Sequence, residues 1–264
     1  MAPINVRSWE SFEKKLKEIR LAEISAGRSE EFLFRGLRDS TSPLATTLER
    51  AGLVRGRISE YYKMISHTKP QIETLTGLKW DIPSFPVFEE SMRNHDTWAL
   101  RNFPDQATYS YLVYLRHHGF PSPLLDWTRS PYIAAYFAFR SNIKPAKGRV
   151  SIYMFSERPE GGKSWSSGEP EIRPIGQYVT THRRHYSQQS DYTMCVFFGN
   201  EFRFAGHEEV FALRQSETRC SLEVQHPLDG APQGSELTRF LRLERVLAVW
   251  FGRKSYGDAG VARN

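Results

Sequence analysis

The chain has 264 residues, 39% of them hydrophobic and 13% aromatic, enough apolar matter for a packed core and too much for a chain disordered throughout. Thirty-six Lys and Arg against thirty Asp and Glu give a formal charge of +6 and a pI near 9.3, a balance that favours anionic partners such as phosphates or nucleic acid. The two cysteines, Cys195 and Cys220, have neither metal-ligand spacing nor a disulfide framework.

No apolar run approaches the ~18 residues needed to span a bilayer, and the start, "MAPINVRSWESFEKK", has no signal-peptide core. The expectation is a cytoplasmic protein with no membrane partner and no metal. Trp9, Phe12, Leu16 and Ile19 recur at helical spacing behind Ser8, a suitable N-cap, which predicts a helix ending by Gly27. Phe32–Phe34 then reads as a short buried strand. Residues 37–104 are rich in helical pieces, "SEYYKMIS" and "VFEESMRNHDTWAL" among them, interrupted by the proline-bearing "WDIPSFPVF". A further helix is predicted in "DQATYSYLVYLRHHG", with Gly119 as its stop.

"SPLLDWT" reads as extended, and "SPYIAAYFAF" opens a helix with Ser130 as cap and Pro131 in its first turn. Strands are predicted at "RVSIYMF", "YTMCVFF", "EEVFALR", "RCSLEV" and "RVLAVWF", a helix at "SELTRFLRL", and a polar loop over 156–171. With no internal repeat and no long linker, the order describes one α+β domain.

Two stretches carry candidate chemistry. In "EFLFRGLRDS" (31–40) an arginine closes an apolar run and precedes a glycine that permits close approach. Arg35 is there either as a structural ion-pair member or as an anion clamp. In "HHGFPSPLLDWTRSPYIAAYFAF" (117–139), Asp126, Thr128 and Ser130 precede a helix N-terminus, a combination suited to phosphates and ribose hydroxyls. The competing reading is a capped core helix whose Tyr136, Phe137 and Phe139 only pack. His182 and His185 have metal-ligand spacing without a further ligand set and read as surface basic residues. His117 and His118 beside Arg116 suit either acid–base work on RNA or the cation-favouring end of a helix.

Taken together, "FLFRG" and the later "RHHGFPSPLLDWTRSPYIAAYFAF" resemble the FRG-domain family, named after its Phe-Arg-Gly motif. Ser122 and Pro123 stand where that family usually has Thr-Arg, and His118 stands at an aromatic position. A third family element is matched by "RRHYSQQSDYT" (183–193), with Ser190 replacing a glycine. The motif order is also similar to that of ADP-ribosyltransferases, in which an early-strand Arg or His, a Ser/Thr strand leading into a helix, and a late Glu form the NAD site. On that likeness Arg35 matches the first element, Thr128 and Ser130 the second, and "QQSD" the third. Where such an enzyme wants a glutamate, this chain offers Gln188 and Gln189. Asp191 would face the same side as Gln189 by strand alternation, and Glu208 and Glu209 open the next predicted strand as further substitutes.

The resemblance implies a single FRG-like domain over 1–264, with core motifs at 32–193, an N-terminal helix within 1–30 and a flexible tail at 257–264. Its fold would be an ADP-ribosyltransferase-like split, mostly antiparallel sheet behind a helical N-terminal region. It implies an enzyme that uses NAD as substrate, transferring ADP-ribose to a protein or nucleic acid or hydrolysing NAD, in the manner of a bacterial toxin or phage-defence effector, with an antitoxin or regulator as partner. Arg35, Ser130 and Gln189 would be catalytic. Arg35, Gly36, Asp126, Thr128, Ser130, Tyr136 and Gln188 would hold NAD. The alternative is a module that binds nucleotide or nucleic acid in the same Arg-lined cleft without chemistry.

Overall fold

A computed structural model describes residues 4–6, 8–27, 31–53, 56–93, 103–140, 145, 148–156, 168–179, 184–199 and 201–213. For Arg184, Ala212, Leu213 and residues 219–225 it describes the backbone alone. The predicted helix at 235–243, the strand at 245–251, the tail at 257–264, His182 and parts of the 87–100 helix and the 156–171 loop lie outside these residues.

Local signals account for many of the elements. Ser8 caps α1 (Trp9–Ser25) by accepting from Ser11 N, and Gly27 leaves the helix with φ 68°, a left-handed conformation that costs glycine little. After β2 (Phe32–Leu37) come four helices among the described residues. Thr46 and Glu49 form a capping box at α2 (Thr47–Arg50), which is followed by α3 (Ile58–Thr76) and α4 (Phe85–Arg93). Asp105 caps α5 (Gln106–His117) by accepting from Ala107 N and Thr108 N. Next come β3 (Leu124–Thr128) and α6 (Pro131–Phe139), capped by Ser130 with proline in its first turn.

The second half is strand-rich: β4 (Arg149–Ser156), β5 (Pro170–Pro174), β6 (Ser190–Phe198), β7 (Phe202–Phe204) and β8 (Arg219–Gln225). Among the described residues two short helices interrupt it, α7 (Arg184–Ser187) and α8 (His207–Leu213). The sequence motif "EEVFALR" was expected as a strand and is largely α8. Val210 N bonds back to Gly206 O, closing a helical turn, while Val210 and Phe211, adjacent rather than alternating, both pack on the core.

Together with the N-terminal strand β1 (Ile4–Val6), these strands form one sheet in the order β1-β8-β4-β2-β3-β6-β5, with β7 on β6. The β1–β8 pair is parallel and every other ladder is antiparallel. The fold is therefore α+β, with an antiparallel sheet curled into a half-barrel and a helical N-terminal region.

Three apolar clusters hold it. Phe32 and Phe34 pack with α1, α6 and β4, whereas Leu33 faces the other way, toward Trp127, Phe155 and Val210. Burial of both faces explains why β2 reads as a continuous apolar run. The helices α3–α5 form the third and largest cluster against β3 and β6.

Candidate functional site

The β2 strand pairs with β4 along its whole length, Phe32 to Leu37, but its ladder with β3 is limited to Phe34 opposite Thr128. Beyond that pair the strands part, and Arg35 spans the gap. Its Nη1 donates to the main-chain carbonyl of Asp126 at 2.5 Å and lies 2.8 Å from the Asp126 carboxylate oxygen Oδ1. Arg116, from the last turn of α5, pairs with the same Oδ1. Two guanidiniums 81 positions apart in sequence thus share one carboxylate oxygen.

Partial burial pushes the Asp126 carboxyl up, but the Arg116 and Arg35 charges outweigh it and hold the group well below the usual carboxylate range. Both arginine side chains are mostly buried, yet the Asp126 side chain is 45% exposed and its Oδ2 accepts no hydrogen bond from a described residue. A carboxylate kept ionised, positioned on one oxygen and open on the other, is suited to accept from a ligand hydroxyl.

The parting strands frame a pocket of about 640 Å³, within the range that holds small-molecule ligands. Arg35, Gly36, Asp126, Thr128 and Gln188 all line it, so residues from all three sequence motifs meet there. Arg38, Arg50 and Arg140 line it as well, and no sequence argument singled them out. Trp127 and Phe137 supply apolar wall, and Ser42 and Ser190 further hydroxyls. The signal for the extra arginines was weak: Arg38 lies within the first quoted stretch and Arg140 directly follows the second, while Arg50 lies near no motif.

Ser130, Gln189 and Tyr136 are not among the residues lining this pocket. Ser130 Oγ accepts from Ile133 N as the α6 cap. Tyr136 is half-buried on α6, with the Arg140 guanidinium 5.9 Å from its ring centroid, and its neighbour Phe137 faces the pocket instead. Gln189 is exposed at φ 47°, a left-handed turn residue just before β6.

The second and third motifs are laced together through main-chain oxygens. Thr128 Oγ1 donates to Gln188 O at 2.7 Å, and Arg129 N donates to Gln189 O at 3.0 Å. Thr128 Oγ1 also accepts from Ser130 N, so this hydroxyl shapes the turn as well as bordering the pocket.

The substitutes considered for a catalytic carboxylate lie elsewhere. Because Gln189 is a left-handed turn residue, strand alternation does not relate it to Asp191. That side chain is fully buried, where burial pushes its carboxyl up against the opposing pull of Arg129, whose Nη2 donates to Oδ2 at 2.7 Å. Glu208 and Glu209 begin a helix rather than a strand, and Glu208 Oε2 accepts from Leu44 N at 2.7 Å. His118 stacks on Tyr114 with Nδ1 2.8 Å from Tyr114 O, and His117 Nε2 is 3.5 Å from the Tyr192 hydroxyl. Neither histidine lines the pocket.

Behind the pocket wall runs a buried polar chain that sequence reading missed. Trp127 Nε1 donates to Thr193 Oγ1 at 2.7 Å, and Thr193 Oγ1 is 3.1 Å from His207 Nε2. His207 Nδ1 is 2.7 Å from Glu49 Oε1, and His207 N donates to Glu49 Oε2 at 3.2 Å. One set of roles satisfies each link: the indole donates to the hydroxyl, the hydroxyl to the imidazole, the imidazole to the carboxylate. Burial holds His207 below its ordinary pKa despite Glu49. The chain fixes α2, and with it Arg50, relative to the pocket wall. Its only trace in the sequence is the Thr46-x-x-Glu49 capping box.

Residues 30–147 match the family model of the FRG domain. The match covers β2 through α6, and so contains Arg35, Arg116, Asp126, Thr128 and the three further pocket arginines. No curated protein and no solved structure matches the chain.

Proposed function

We propose that this chain is an NAD-using, ADP-ribosyltransferase-like enzyme whose substrate occupies the pocket between β2 and β3. The observation that carries the reading is the meeting of three motifs, some sixty to ninety residues apart, as Arg35, Asp126–Thr128 and Gln188 around that one pocket.

The chemistry asked of the pocket is cleavage of the bond between nicotinamide and C1′ of its ribose. Nicotinamide leaves with the bonding electron pair. The oxygen of water, or of a macromolecular acceptor, then bonds to C1′ and loses its proton. An ionised Asp126 offers its open Oδ2 to a ribose hydroxyl, and the amide of Gln188 offers a carbonyl to the reacting sugar as positive charge develops on it. Gln188 takes this part in place of Gln189 because it lines the pocket. Arg35 and Arg116 act through Asp126, keeping it ionised and aimed.

Titration calorimetry with NAD, followed by mass spectrometry for released nicotinamide, tests the reading. Binding with slow nicotinamide release is expected, since a glutamine lacks the full charge of a glutamate. Absence of release under saturating NAD removes the enzyme reading.

A second reading is a nucleotide- or nucleic-acid-binding module without turnover. It is favoured by one observation: Asp126, the only carboxylate among the pocket's described lining residues, is already engaged by two arginines. Saturable binding of NAD with no released nicotinamide selects it.

A further inference from the structure

Arg38, Arg50 and Arg140 come from three separate elements, just past β2, at the end of α2 and just past α6, and converge on the pocket. All three are exposed, and none is paired with a carboxylate among the described residues. Elsewhere several exposed or half-buried arginines find one, Arg57 with Glu201, Arg93 with Glu89 and Arg129 with Asp191, though Arg203 meets the Phe197 ring instead. The pocket therefore concentrates positive charge that no described carboxylate on these three arginines neutralises, which draws an anion to it.

Arg35 is differently placed. Its Nη1 is committed to the carbonyl and carboxylate of Asp126, which makes the arginine of the Phe-Arg-Gly motif a positioning residue for that carboxylate. A single phosphate offers three terminal oxygens, and one arginine fork can occupy two of them. Three forks from three directions match a group with more oxygens, spread over two phosphorus atoms.

We propose that Arg38, Arg50 and Arg140 form a pyrophosphate site, and that a bound nucleotide lies with its phosphates on these arginines and a sugar hydroxyl on Asp126 Oδ2. This rests on reading the pocket as a nucleotide site, and it names the grip. The three arginines set affinity through charge. Asp126 sets selectivity for a sugar-bearing ligand.

The test uses the full chain, with calorimetry against inorganic pyrophosphate and against ADP-ribose. Pyrophosphate is expected to bind and to displace ADP-ribose. Arg38→Gln, Arg50→Gln and Arg140→Gln are each expected to weaken both ligands about tenfold, the lower end of what a charge-assisted hydrogen bond contributes. Asp126→Asn is expected to weaken ADP-ribose by a similar factor and to leave pyrophosphate binding no weaker. Melting curves check that each variant is folded. Wild-type pyrophosphate affinity in all three arginine variants, or ADP-ribose binding that pyrophosphate cannot displace, overturns the proposal. If NAD is cleaved normally by the arginine variants, the pyrophosphate site falls and the enzyme reading stands. If pyrophosphate binds through these arginines and nicotinamide is never released, the enzyme reading falls and the site stands.

Discussion

A Cβ built on Gly36 would stand 1.9 Å from the carbonyl oxygen of Ala134, and 2.9 Å from the amide nitrogen of Ala138. Those are main-chain atoms of α6, which cannot rotate out of the way. The glycine that follows Arg35 is required because the helix lies against the strand at that point. Gly36→Ala forces the helix off β2, and overpacking of this kind costs about 1–3 kcal/mol. A drop of several degrees in the thermal midpoint is expected, with loss of ligand binding in proportion to unfolding.

Arg35→Ala separates the two roles first considered for this residue. Asp126 keeps Arg116, and its side chain is 45% exposed, so the full penalty of a broken buried pair does not apply. A loss of about 1–2 kcal/mol is expected, well under the 3–5 of a fully buried pair. Binding of a sugar-bearing nucleotide should fall as well, because Asp126 loses its aim. An unchanged thermal midpoint with unchanged binding would show that the pair contributes to neither.

Acid should expose the Glu49–His207 link. The folded chain holds His207 below its ordinary 6.5, so the unfolded chain takes up its proton first. The stability associated with a neutral His207 is complete above 6.5 and is lost as pH falls from there through the lowered folded value. Glu49, also lowered, adds a further loss below its ordinary 4.5. Denaturant titrations across this range should show a step in the wild type that is diminished in His207→Gln. A step of equal size in that variant would place the titrating group elsewhere.

The two glutamines of the third motif should behave differently. Gln188 lines the pocket while Gln189 is exposed with φ 47°. Gln188→Ala is expected to lower nicotinamide release at least tenfold, and Gln189→Ala to leave it within about twofold. Gln189→Gly should be neutral or stabilising by up to about 1 kcal/mol, since glycine adopts that conformation without Cβ strain. Rate measurements on the two alanine variants decide which residue serves the reacting sugar.

What was legible in the sequence was whatever is encoded within a few residues. Ser8 and the Ser130-Pro131 pair marked helix starts, and alternating or continuous apolar runs marked β2, β3, β4 and β6. Seven residues around Val210 satisfy a strand and a helix almost equally, and there the reading failed. The three site motifs were legible because each joins polar residues to a buried element. The Arg35–Asp126 and Glu49–His207 pairs, 91 and 158 residues apart, were not. Nothing local distinguishes a carboxylate that will meet two arginines from one that will face water. Arg50 and Arg140 look like any solvated arginine until the fold brings their helix ends to the same opening.

The short ladder between β2 and β3 has a consequence for how the pocket can be altered. A sheet ordinarily shows unpaired backbone only along its outermost strands, where foreign strands can add to it. Here two strands diverge in the middle of the sheet, and Gly36, with no side chain, presents only main chain to the space between them. α6 packs against that stretch of β2, leaving an intruding strand little room to extend the sheet. Part of the recess is thus written in peptide groups that no codon change removes, so side-chain replacements around it will grade its affinity and are unlike switches that turn it off.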